Sequence, residues 1–209
     1  MKNAAFALVT IFLISCNKKE TVEKDTNVVV SDTLEERPRF TEKSLLIIPG
    51  TSIGTTVLGE NATTLSSLGK PDLSDAAMGK AWMSWYSDKP AVNGVKTELM
   101  ISTGYKDSEM KEKIIKVIRT NSPDFKTSGG NGVGVSVLSI VEEFPNIKAT
   151  TEYTNTETGQ KIQIFDDEAS GIAFEIRNEI DKKCIGIIVH LKNKPAGNEY
   201  VVLHPEMRL

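Results

Sequence analysis

The side chains that could carry acid–base or nucleophilic chemistry are few and far apart. The chain holds two histidines, His190 and His204. A hydrolase using His190 or His204 with an acidic partner is the enzymatic alternative, and its only warrant is that the two histidines exist. Asp166-Asp167-Glu168 runs into Ala169-Ser170-Gly171 and reads as a turn, without the ligand spacing of a calcium loop. Two histidines and Asp166-Asp167 have no metal-ligand spacing either. No Gly-x-Ser-x-Gly elbow is present. Gly50, Gly54 and Gly59 alternate with Thr51, Ser52, Thr55 and Thr56, and Gly132 and Gly134 form a second cluster. Both lack the lysine and the spacing of a phosphate loop and read as glycine turns entering short helices. No catalytic residue, metal or cofactor is therefore assigned.

Trp82, Trp85 and Tyr86 are the densest aromatic cluster. On a strand, Trp82 and Tyr86 face one way and Met83 and Trp85 the other, so both faces are apolar. One face can be core, and the other must be covered or bind something. These three residues are the candidate binding surface.

The N-terminus carries a different chemistry. Lys2 precedes the apolar run Ala4 to Ile14, which is too short to span a bilayer, where about 20 residues are needed. A charged start, a short apolar core and a small residue before the cut are the parts of a secretory signal. Leu13-Ile14-Ser15-Cys16 resembles the lipobox of bacterial lipoproteins. The resemblance implies removal of residues 1–15, with diacylglycerol on the Cys16 sulfur and, in many bacteria, a palmitate-type acyl chain on its amine. Two or more chains anchor stably where one does not. Asn17, where aspartate would retain some lipoproteins in the inner membrane, points to the outer membrane. With Cys16 acylated, Cys184 has no disulfide partner. Set in Cys184-Ile185-Gly186-Ile187-Ile188-Val189, it reads as a small core residue.

Residues 16–44 are polar and lack a period, with Val28-Val29-Val30 as the only apolar cluster. They cannot bury enough surface to offset ordering and read as a tether whose reach, as a flexible coil, is about 30 Å. Asp32-Thr33-Leu34 resembles the O-glycosylation motif of Bacteroidetes envelope proteins, which would place a glycan on Thr33. Formal net charge is −3, and nothing suggests nucleic acid.

The rest reads as two related segments, 45–122 and 123–209, each a glycine turn, a short helix with a proline stop, and then strands. Asn61 caps a helix over Ala62 to Leu68, ended by Gly69 and Pro71, and Ser136 caps one over Val137 to Phe144. Val137, Ile140, Val141 and Phe144 form its apolar stripe. Strands are expected at Lys80–Ser87, Val95–Thr103, Lys113–Thr120, Thr151–Tyr153, Lys161–Phe165, Gly171–Arg177 and Cys184–Leu191. Leu68-Gly69-Lys70-Pro71, with Trp85-Tyr86 behind it, resembles outer-membrane lipoproteins of the SmpA/OmlA type. The pairing of helices with a sheet is similar to the domains of the β-lactamase inhibitor protein. The expected fold is α+β, two related helix-plus-antiparallel-sheet halves that can share one sheet. The expected function is that of a lipid-anchored, non-enzymatic binding or assembly module of the cell envelope. Its expected partners are the membrane, through lipid on Cys16, and an envelope protein.

Overall fold

The computed structural model describes residues 45–89, 91, 95–156 and 158–196, and the backbone of 207–208. Cys16, Thr33, His204 and the stretches expected to be signal (1–15) and tether (16–44) lie outside the described residues. The first three strands are short: β1 (Ile47–Ile48), β2 (Ser52–Ile53) and β3 (Thr56–Val57) form a three-stranded antiparallel sheet. Gly50 and Gly54 turn the chain between these strands and do not enter a helix; of the three glycines, only Gly59 leads toward one. A 3₁₀ helix follows at Ala62–Leu68.

The second sheet holds β4 (Leu73–Ala77), β5 (Lys80–Tyr86), β6 (Glu98–Tyr105), β7 (Lys113–Thr120), β8 (Lys148–Asn155), β9 (Lys161–Asp167), β10 (Ile172–Arg177), β11 (Cys184–His190) and β12 (Met207–Arg208). Helix α1 (Val137–Glu143) lies between β7 and β8. The strand order is β12-β8-β9-β10-β11-β7-β6-β5-β4, all antiparallel. Strands β4 to β7 form one meander and β8 to β11 another, and the two join where β7 pairs with β11.

The α+β expectation is overturned. Among the described residues the protein is mostly β, 47% strand and 10% helical, with two antiparallel sheets and two helices. Each helix has only seven residues, too short to form a layer of its own, since an isolated helix needs about 12–15 residues to be even marginal. The first helix is 3₁₀ because its polar residues tighten it: Thr64, Ser66 and Ser67 hydroxyls donate back to carbonyls three residues earlier, competing with the α pattern. Asn61 Oδ1 accepts from the Thr63 amide at 3.0 Å, and Gly69 ends the helix at φ 74°. Only glycine adopts that conformation without steric cost. The Ser136 side chain caps α1 by accepting from the Ser139 amide.

Apolar residues lie on both faces of the large sheet. One face packs Ile101, Ile118, Phe174, Ile187 and Val189 beneath the small sheet, Leu65 of the 3₁₀ helix, and Ile140 and Phe144 of α1. The rings of Phe144 and Phe174 lie 5.5 Å apart. Val141, expected in the apolar stripe of α1, stays exposed. The other face holds a smaller cluster, with Val117, Tyr153, Ile162, Ile164, Ala173 and Ile188.

Candidate functional site

Strand register decides which side chains share this second face. Ser84, Met100, Arg119, Ile188, Ala173 and Asp166 stand opposite one another across consecutive strands, and opposed residues point the same way. Trp82 and Tyr86, two residues either side of Ser84, belong to that face, and both are half-buried. Lys96 Nζ lies 5.7 Å from the centre of the Tyr86 ring. Trp85 points to the opposite face. It is 8% exposed, part of the main core, and donates its indole N–H to the Gly69 carbonyl at 3.2 Å. Of the three aromatic candidates, therefore, Trp85 is a core residue and the other two share a face. Ser84 Oγ, between them, is buried and has no hydrogen-bond partner.

The same face carries buried charge that sequence reading missed. Arg119 donates to both oxygens of Glu175, Nε to Oε1 at 2.8 Å and Nη2 to Oε2 at 2.6 Å, and its Nη1 donates to Glu98 at 3.0 Å. All three are buried. Burial opposes the charge on Arg119, but the two carboxylates outweigh it and hold the guanidinium pKa above its usual value. The bond from Arg119 to Glu175 passes over β11 at Gly186, where an added Cβ would overlap the Glu175 carboxylate. The cluster thus bridges the junction of the two meanders. Sequence gives little sign of it, since Glu98, Arg119 and Glu175 are far apart and charged residues in strands usually mark a solvated face. The signals present were Glu175 inside Ile172-Ala173-Phe174-Glu175-Ile176 and Gly186 inside an apolar run.

His190 is 1% exposed. Its Nε2 lies 3.0 Å from Asp166 Oδ1 and its Nδ1 3.1 Å from the Leu191 carbonyl. The other Asp166 oxygen accepts from the Ala196 amide at 2.7 Å. A histidine beside an aspartate is two-thirds of a hydrolytic triad. Here the nitrogen that would take a nucleophile's proton points at a backbone carbonyl instead, and the pair is sealed from solvent. Asp166 and Asp167 are not turn residues: both are buried at the end of β9, and Asp167 accepts from the amide and hydroxyl of Ser170 in the turn that follows. Cys184 is buried, its thiol donates to the Gly186 carbonyl, and desolvation pushes its pKa from 9.0 up to about 12. A thiol is a nucleophile only as the thiolate. Among the described residues, no group of three or more His, Cys, Asp or Glu is placed to hold a metal.

No protein-family model matches the chain, and no curated protein matches it. Among solved structures, a DUF4309 family protein (YjgB) from Bacillus subtilis is similar at 12% identity and a TM-score of 0.36, over 68% of this chain and 88% of that one. A TM-score of that size does not establish a shared fold.

Proposed function

We propose that this protein is a lipid-anchored cell-envelope lipoprotein, and that its folded part is a non-enzymatic binding module acting through the sheet face that carries Trp82 and Tyr86. The observation that carries the reading is a division of labour among side chains. His190, Asp166, Cys184, Arg119, Glu98 and Glu175 are buried and engaged with one another or with backbone. Trp82 and Tyr86 remain half-exposed beside the edge of the sheet. Large amphipathic rings of this kind are the usual anchors of recognition surfaces. The hydrolase alternative gains nothing from His190, which has no free ring nitrogen to offer, and His204 lies outside the described residues.

The anchor is tested by growing cells with a clickable palmitate analogue. Wild-type protein is expected to take up label and fractionate with the outer membrane. Cys16→Ala is expected to take up none and to stay unprocessed or soluble. Equal labelling of the two would remove the lipoprotein half of the proposal.

A further inference from the structure

Among the described residues, two strongly exposed apolar side chains lie on neighbouring turns at one end of the sheet. Met78 is 100% exposed at the tip of the β4–β5 hairpin, and Met110 is 63% exposed in the β6–β7 turn. The tips are neighbours because β5 pairs with β6. Tyr105 at the end of β6 packs so closely on Gly79 that a Cβ there would overlap its ring, and Lys113 Nζ stacks 5.4 Å from the centre of that ring.

Both methionines have left-handed backbone, φ 52° for Met78 and φ 54° for Met110. Glycine, asparagine or aspartate would meet these turns with less strain. A long apolar side chain in that conformation, turned mostly or wholly to water, adds little to the fold, and such outliers point to function.

We infer that these two tips dip into the interfacial layer of the lipid bilayer and set the orientation of the folded part on the membrane. The inference rests on the membrane-tether reading for its setting. Two single side chains are far too small a patch for a stable protein interface, which takes about 800 Å² from each partner. They suit a fluid surface that closes around each tip. The same turns carry Tyr105, Lys80 and Lys113, while Lys111 pairs with Glu109 at 2.8 Å and Lys106 with Glu112 at 3.2 Å, so the acids flanking Met110 are largely offset by lysines. A tyrosine belongs at the headgroup level, and lysine stems can lie along apolar surface while their ammonium groups stay in water. A contact of two methionines is weak alone. On the tether reading of residues 16–44, a coil with a reach of about 30 Å would hold the tips near the surface at an effective concentration in the millimolar range, which makes a weak contact sufficient.

The test uses methionine oxidation as a native probe and does not depend on acylation of Cys16. The chain from Asn17 onward carries an N-terminal hexahistidine and is held on phosphatidylcholine vesicles containing a nickel-chelating lipid. A charged, membrane-impermeant oxidant is added and sulfoxide is read by peptide mass spectrometry. Met78 and Met110 are expected to oxidise roughly tenfold more slowly on vesicles than free, with buried Met100 slow in both. Unchanged rates at Met78 and Met110 on vesicle-bound protein would overturn the inference. So would protection that appears only when envelope proteins are added. Either failure leaves the Cys16 anchor to stand or fall on palmitate labelling.

Discussion

Gly186 decides whether the buried charges can meet. With an alanine there, the added carbon would overlap the Glu175 carboxylate and displace it from Arg119. Gly186→Ala is therefore expected to cost about 3–5 kcal/mol in urea unfolding, the range for breaking a buried ion pair. Arg119→Met should cost a similar amount because it strands two buried carboxylates. Replacing all three, Glu98→Leu with Arg119→Met and Glu175→Leu, should cost much less than the single change, since no unpaired charge remains. Cys184 gives a prediction in pH. The folded thiol ionises near 12 and the unfolded one near 9.0. Below pH 9 both states keep the proton and the thiol is neutral in its effect. Between 9 and 12 the unfolded state loses it first, so stability falls as pH rises, by on the order of 4 kcal/mol across the window. Cys184→Ala should flatten that alkaline slope relative to wild type, and iodoacetamide at pH 8 should leave folded Cys184 unmodified. The aromatic cluster separates in the same way: Trp85→Ala should cost about 3–5 kcal/mol and Trp82→Ala less than about 1 kcal/mol.

At the scale of elements, the edge strand β4 is the part most in need of protection. All five of its residues are exposed and it ends the large sheet. An open edge invites another strand. Asp75 answers this by accepting, at 2.8 Å, from the Ala76 amide, so one of the few edge donors is already taken and a charge stands beside it. Asp75→Ala is expected to shift the protein toward concentration-dependent association in analytical ultracentrifugation while leaving its circular dichroism unchanged. An unchanged sedimentation profile would mean the edge needs no guard. This strand was illegible in the sequence. Leu73-Ser74-Asp75-Ala76-Ala77 has no β-branched residue and no alternation, and it is strand only because the Met78-Gly79 turn lays it along β5. By contrast, Lys113–Thr120 and Cys184–His190 are rich in isoleucine and valine and form strands where β-propensity puts them. The caps at Asn61 and Ser136 were equally legible because capping is local chemistry. The fold class was misread because two short, well-capped helices were given the weight of layers, and the residues that build the sheets were counted as their accompaniment.

At the scale of the molecule, the large sheet joins its two meanders through β7 and β11 and carries apolar residues on both faces. The face with Trp82 and Tyr86 also holds the charge cluster that bridges that junction, and register alone could reveal this. A sequence shows which residues alternate but not which of two faces a distant strand will share. Whether the half-exposed aromatic pair meets a partner is the claim on which the account turns. The most direct measurement places a photo-crosslinking amino acid at position 82 in intact cells, with position 85 as the core control and Cys16→Ala as the untethered control. One dominant envelope protein captured from position 82, absent from position 85 and lost in Cys16→Ala, is the expected result. Capture of nothing from position 82 in a folded, membrane-bound protein, or capture that survives Cys16→Ala unchanged, would contradict a tethered binding module.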